Sequence, residues 1–541
     1  MARDHELEAS EVLKEAYNAA EDVLEVKSKL AASTDNGDST YLAATAEGHL
    51  EVAIHAPRLP FGSVHVENLT PIFQSDAVYG LNTGQVEYSS SLSGSVTGEN
   101  SVFKVSTGTT IYAQAQLHSR KRLRYRAGQG VVGRFAGFFS TPAANSYQVA
   151  GFGHAEDGLY FGYKDTDFGI LYSRKGVREV QTLTITTASS TAESVTVTLN
   201  GTAYSVAVTN SANIQRTVYE ISRGTYAGWK AHPQGATVVF VSDSVGNKAG
   251  AFSISGTTVV GAFAETKAGA AASETFIKQS DWNGDKLDGT GASGVTLNPL
   301  KGNVFQVGIQ YLGFGAIVFS IEVGHEGNNP DFVVCHTLNL PNTLTATSLG
   351  NPSFPFTMAV YSAGSTTDLS ITVGSFAGFV EGKKVLQGNR FSYFNSTTAG
   401  TASDYRALFT ILNPRYYAGR ANQVVINLLS VTAAVKHTQP VVFYLIRNGT
   451  LAGNPNFAAL SSISASLWDT SATTVTWSSG EQLLWTGHLG ETGELDHHFG
   501  NGEFNAEELT LQPNESVTLA VRSVANNIAY ATGAINTRED Q

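Results

Sequence analysis

VQTLTITTASSTAESVTVTLNGTAYSVAV, residues 180–208, sets the reading of the whole chain. Over 180–188 and 194–208 apolar side chains alternate with Ser and Thr, the period of a strand with one buried face. Asn200-Gly201 between the two halves of the second run is a strong short-range signal for a two-residue hairpin turn. The next segment, 210–223, instead places Ile214, Val218 and Ile221 on one side of a helix. Two further hairpin-like pieces, 237–243 and 251–261, complete a small α+β unit over residues 181–272.

The flanks of this unit resemble each other more than they resemble it. Aromatic, glycine-rich strands stand before it at 135–139 and 160–163, and after it at 304–311 and 314–322. The unit therefore reads as an insertion into a loop tip, where little buried backbone must be re-satisfied. Its host is a discontinuous central β-sandwich, 119–180 plus 273–388. Short strands with Gly and Asn turns from 389 to 541 mark a second, C-terminal sandwich. Residues 33–118 read as an extended β arm with hairpins, because 56–73 carries three prolines, a composition of edges and arms. In residues 1–32, Val12, Ala16, Ala19, Val23, Val26 and Leu30 recur at spacings of 3 and 4, the seam of a helix. That helix would lie on its own protein or serve as an anchor and oligomerisation element. The expected fold class is mainly β: a multi-domain β-sandwich or jelly-roll-like chain with an inserted α+β module and an N-terminal α-helix.

Composition agrees with this and excludes several functions. The 541 residues suffice for about three or four domains. Only 15% are charged, against about 25% in ordinary domains, and 54 are glycine, as in turn-rich β proteins. The net charge of −12 argues against a surface that grips nucleic acid throughout. A single cysteine, Cys335, excludes an internal disulfide framework and the usual cysteine zinc sites. Residues 1–11 contain no apolar signal core, and no apolar run is long enough for a membrane helix, so a soluble chain made in the cytoplasm is expected.

The most charged stretch is Ser119-Arg120-Lys121-Arg122-Leu123-Arg124-Tyr125-Arg126. On a strand, Arg120, Arg122, Arg124 and Arg126 project from one face. Four guanidinium groups side by side repel unless anions meet them. The expected partners are carboxylates of this chain or of a neighbouring subunit, since one short strand without aromatic platforms is a small footprint for nucleic acid.

Other chemistry-bearing patterns are weaker. Asp281, Asn283, Asp285 and Asp288 begin like a calcium loop, but Lys286 stands where Gly is needed and Ala292 where a ligating Glu is needed. A polar turn with Asx-type hydrogen bonds explains the same residues. His488, Asp496, His497 and His498, with Glu491 and Glu494, are zinc- or iron-ligand types, yet their spacing sets no two histidines on one face. Cys335-His336 are strand neighbours pointing to opposite faces, and Glu156-Asp157 reads as an acidic turn. No nucleophile elbow or phosphate loop is present, so neither a catalytic residue nor a cofactor is expected.

The stretches 119–139 (SRKRLRYRAGQGVVGRFAGFF), 151–163 (GFGHAEDGLYFGY), 282–291 (WNGDKLDGTG), 311–322 (YLGFGAIVFSIE) and the ending 511–540 resemble virion structural proteins of tailed bacteriophages, with similar chains in large marine viruses. The 181–272 unit separately resembles small domains inserted in phage tail and adhesion proteins. The resemblance implies a non-enzymatic tail, baseplate or fibre component, a homo-oligomer (a trimer) contacting other virion proteins and located in the virion. It names no catalytic residue, and it implies neither a nucleic-acid partner nor membrane insertion. Two alternatives stand beside it: a glycan-binding receptor module using Trp229, Trp468, Trp477 or Trp485, and a capsid-surface decoration protein whose arginine face clamps acidic capsid subunits.

Overall fold

The computed structural model describes strand at residues 17–18, 23–24, 31–33 and 39–41, and then residues 69–540 except 325–330, 383–386, 400–401, 437–439, 479–481, 491–492, 500–508 and 526–528. The chain divides into two compact units, residues 1–58 and 59–541.

In the first unit Tyr17–Asn18 pairs with Val23–Leu24, and Ala31–Ser33 pairs with Ser39–Tyr41, all antiparallel. This corrects the expected helix over 1–32. Pairing of Tyr17 with Leu24 requires the chain to reverse between them, which no continuous helix allows. Three heptads with alanine at the seam hold too little apolar surface to sustain a helix alone. Val23 lies in one of these strands, whereas Val12, Ala16, Ala19, Val26 and Leu30 lie outside the described residues.

The second unit is almost wholly antiparallel sheet. Its central sandwich packs an eight-stranded sheet on a seven-stranded one. Val131–Phe139 runs mid-sheet in the first, between Asn303–Ile309 and Ser370–Glu381. Ser146–Gly153 does the same in the second, between Gly158–Lys164 and Phe354–Ser362. Alternate residues of both meet in an aromatic core. Phe356 and Phe376 stack at 4.2 Å and Phe135 and Phe305 at 4.9 Å, pairs worth about 0.5–1.5 kcal/mol each beyond their burial. Gly133 lets the two sheets approach closely, because a Cβ there would fall 2.3 Å from the Phe152 ring.

Residues 69–118 are not a separate arm. Leu69–Asp76, Ser95–Glu99 and Val102–Ser106 join the first sheet, and Val86–Ser91 and Gln114–Leu123 join the second. Pro71 is accommodated because Leu69–Asp76 has a register shift where Pro71 faces Phe379.

The chain leaves the sandwich at Arg174 and re-enters at Ser273, and these two residues are paired across Asp167–Arg174 and Ser273–Lys278. Between them, a four-stranded and a three-stranded sheet enclose their own core of Leu183, Val197, Ile221, Trp229 and Phe240, with the helix Ile214–Ser222 against it. The helix starts where Asn213 accepts hydrogen bonds from the backbone N–H of Gln215 and Arg216. Residues 389–540 form a further sandwich of a five-stranded and an eight-stranded sheet around Tyr393, Phe409, Phe443 and Leu519.

The inserted module is a strut rather than an outlying appendage. Its helix turns Tyr219 into the C-terminal sandwich, where Tyr219 stacks on Phe457 and its hydroxyl accepts the Leu451 N–H at 2.8 Å. Arg216 donates to the Leu451 carbonyl at 3.0 Å, and Gly235 N–H donates to the Phe457 carbonyl at 2.9 Å. The three lobes of the second unit thus brace one another. Among the described residues no helix is long and apolar enough to cross a membrane.

Candidate functional site

The lobes meet at the arginine ladder. Gln114–Leu123 pairs with Phe354–Ser362, but between His118 opposite Thr357 and Arg122 opposite Pro355 it bulges. The bulge interrupts the alternation at one position: Lys121 is exposed, and Leu123 returns to the core on the same face as Leu117. The strand ends at Leu123, so Arg124 and Arg126 continue the ladder beyond it.

The partners are the chain's own C-terminal carboxylates. Arg120 Nη1 lies 3.2 Å from Glu515 Oε1. Arg126 Nη2 lies 2.9 Å from both oxygens of Asp540, and Arg124 Nε lies 3.6 Å from one of them. Arg124 also donates to the carbonyls of Asp540 and Gln423, each at 2.6 Å. Such charges in a mostly buried seam fix geometry more than they add net stability, yet removing one partner strands the other at a cost of about 3–5 kcal/mol. Three of the four ladder arginines are thus met by carboxylates of the same chain.

Arg122 differs from its three neighbours. Its Nε and Nη1 are buried and have no hydrogen-bond partner among the described residues. Burial, then the nearby Arg415 and Arg124, push its pKa down to about 9. It lines a cavity of about 330 Å³ where the sandwich, the module and the C-terminal lobe converge. Arg120, Arg178, Lys230 and Arg415 line it as well, against the carboxylates Glu87, Asp243 and Glu274. His118, at the same wall, accepts or donates through Nδ1 to Thr357 Oγ1 at 2.7 Å; burial pushes its pKa down to about 4, so it adds no positive charge near neutrality.

At the other wall the acidic turn Glu156-Asp157 is part of a buried network. His154 Nδ1 is 2.7 Å from Glu156 Oε2, and Arg178 Nε is 2.5 Å from Glu156 Oε1. Burial opposes ionisation of Glu156, but Arg178 and His154 outweigh it and hold the carboxyl well below its usual range. Arg178 also donates to the carbonyls of Ser242 and Asp243, tying the module's root to the sandwich. Asp157 accepts the N–H groups of Lys175, Gly350 and Asn351. Glu156 and Arg178 are 22 residues apart, with a hairpin between, so no local spacing announces the pair.

The remaining sequence candidates make the following contacts within the chain. Asn283 uses its side-chain amide on both backbone groups of Thr337. Asp285 accepts the N–H of Leu287 and of Ser293, Asp288 that of Thr290, and Ser280 donates to Asp281. The turn itself occupies these oxygens, as Asx-type bonding predicts. His497 lies against Trp485 and Phe499, while His498 and Asp496 form an exposed pair at 3.3 Å and His488 sits on a different strand. Among the described residues no three His, Cys, Asp or Glu side chains are grouped to hold a metal. The Cys335 thiol is buried, donates to the Phe319 carbonyl at 3.1 Å, and burial pushes its pKa up. Trp229 is buried; Trp468 packs on Tyr393, and Trp477 on Tyr405 and Tyr444.

A second concavity lies on the outer face of the eight-stranded sheet. It has a volume of about 710 Å³, a floor of small residues (Ala136, Ser375, Ala377), and a rim of Asp76, Tyr79 and Arg134. The Tyr79 side chain is fully exposed.

Comparison with known proteins finds no family model that matches this chain and no curated protein that matches it in sequence.

Proposed function

We propose that this chain is a non-enzymatic structural component of a tailed-phage particle, in the tail, baseplate or fibre, acting as a homo-oligomer. The observation that carries the reading is the bracing of three β lobes by mostly buried contacts of Arg120, Arg124, Arg126 and Tyr219, which suits a rigid structural body. The edge strand Asn389–Ala399 adds to it: eleven residues, paired among the described strands only with Ala529–Asp540, with Phe394 62% exposed. A long edge of this kind invites pairing with a neighbouring chain. Immunogold electron microscopy of purified particles, with sedimentation of the free protein, tests the reading. Gold at the tail and a multimer are expected; particles without the protein would overturn it.

A glycan-binding reading is favoured by a different observation, the open concavity beside Tyr79. An exposed ring flanked by a carboxylate and a guanidinium is the chemistry that stacks on and hydrogen-bonds a sugar. Glycan-array binding that disappears in Tyr79→Ala is the expected result, and an array without binders would remove this reading.

A further inference from the structure

We propose that the cavity at the junction of the three lobes is a phosphate site, in which the Arg122 guanidinium is the principal ligand. Three ladder arginines are met by Glu515 and Asp540, and Arg122 alone is left with buried, unpartnered donors. A guanidinium withdrawn from water without a partner is costly, and a bound oxyanion removes that cost. The guanidinium fork matches two oxygens of a tetrahedral anion.

The surroundings fit the same ligand. Five cationic side chains line the cavity against three carboxylates. Arg178 is committed to Glu156, Arg120 to Glu515, and Arg415 lies 3.6 Å from Asp243, which leaves Arg122 and Lys230 as the remaining cations and Glu87 and Glu274 as the remaining carboxylates of the lining. The volume of about 330 Å³ holds the ion with several waters, or a phosphate carried on a small organic group. Gln512 lines the cavity too, and its buried Oε1 has no donor among the described residues. Hydrogen phosphate carries a hydroxyl that can donate to that oxygen, and sulfate does not. The site should therefore prefer phosphate to sulfate.

The test is thermal melting and titration calorimetry of the full chain in phosphate-free buffer, with inorganic phosphate, sulfate and ribose 5-phosphate as separate arms. Inorganic phosphate should bind saturably and raise Tm by about 2 °C or more at 10 mM, with sulfate weaker at equal ionic strength. Tighter binding of ribose 5-phosphate assigns the site to the phosphate end of a larger molecule; equal or weaker binding assigns it to the free ion. The variant Arg122→Met removes a buried unpaired charge, so without phosphate it should melt no lower than the parent, and its Tm should ignore phosphate. Absence of saturable binding to the parent, or an Arg122→Met protein that keeps the full phosphate response, would overturn the proposal. Lys230→Gln, at the cavity wall, provides a second variant, expected to weaken binding several-fold without abolishing it.

Discussion

Two buried histidines illustrate how position rather than residue type sets chemistry here. His232 has both ring nitrogens buried and without a hydrogen-bond partner among the described residues, and burial, reinforced by Arg415, pushes its pKa down to about 3. His118 is likewise held to about 4. Between pH 6.5 and 4 the unfolded chain takes up protons at both and the folded chain does not, so stability should fall as the pH drops through that window. The slope is about 1.4 kcal/mol per pH unit for each histidine. Glu156 works in the same sense on a lower range: its depressed carboxyl contributes stability above about pH 4.5 that is lost only below it. Urea unfolding at pH 7, 6 and 5 should show the fall, and His232→Leu should roughly halve it. Gly133 gives a steric counterpart. A valine there drives its Cβ into the Phe152 ring, and denaturant midpoints should record a loss of about 1–3 kcal/mol. Neither effect is legible in sequence, because both depend on what a distant strand places opposite the residue.

At the level of elements, alternation in 180–208 does correspond to strands, Arg178–Thr187, Glu193–Leu199 and Thr202–Val208, with the turn at Asn200-Gly201 where both residues have positive φ. The helical spacing of Ile214, Val218 and Ile221 likewise corresponds to Ile214–Ser222. Period and turn chemistry are local, so one chain segment suffices to reveal them. The seam in 1–32 misleads for the converse reason: periodicity states which face would be apolar, not whether anything is there to bury it. The arginine alternation is legible, but not the bulge at Ser119–Lys121 or the identity of Glu515 and Asp540, about 400 positions away. The packing of Tyr219 is similarly long-range. Tyr219→Ala should cost about 3–5 kcal/mol, and limited proteolysis should then cut the module before either sandwich.

For the molecule as a whole, the seam between the sandwiches decides cooperativity. Asp540→Ala leaves Arg124 and Arg126 buried without their carboxylate, and Glu515→Ala removes the partner of the partly exposed Arg120. Calorimetry of the double variant should resolve separate transitions where the parent shows a shared one, since the lobes would no longer melt together. The paired exit and return of the chain at Arg174 and Ser273 has a consequence during synthesis. The ribosome must deliver roughly a hundred residues between those two strands, a wait of about 5–20 s at ordinary elongation rates. Until then Asp167–Arg174 has an unmatched edge. Because the intervening module carries its own hydrophobic centre, it can fold first and hold the two ends side by side, turning a distant closure into a nearly local one.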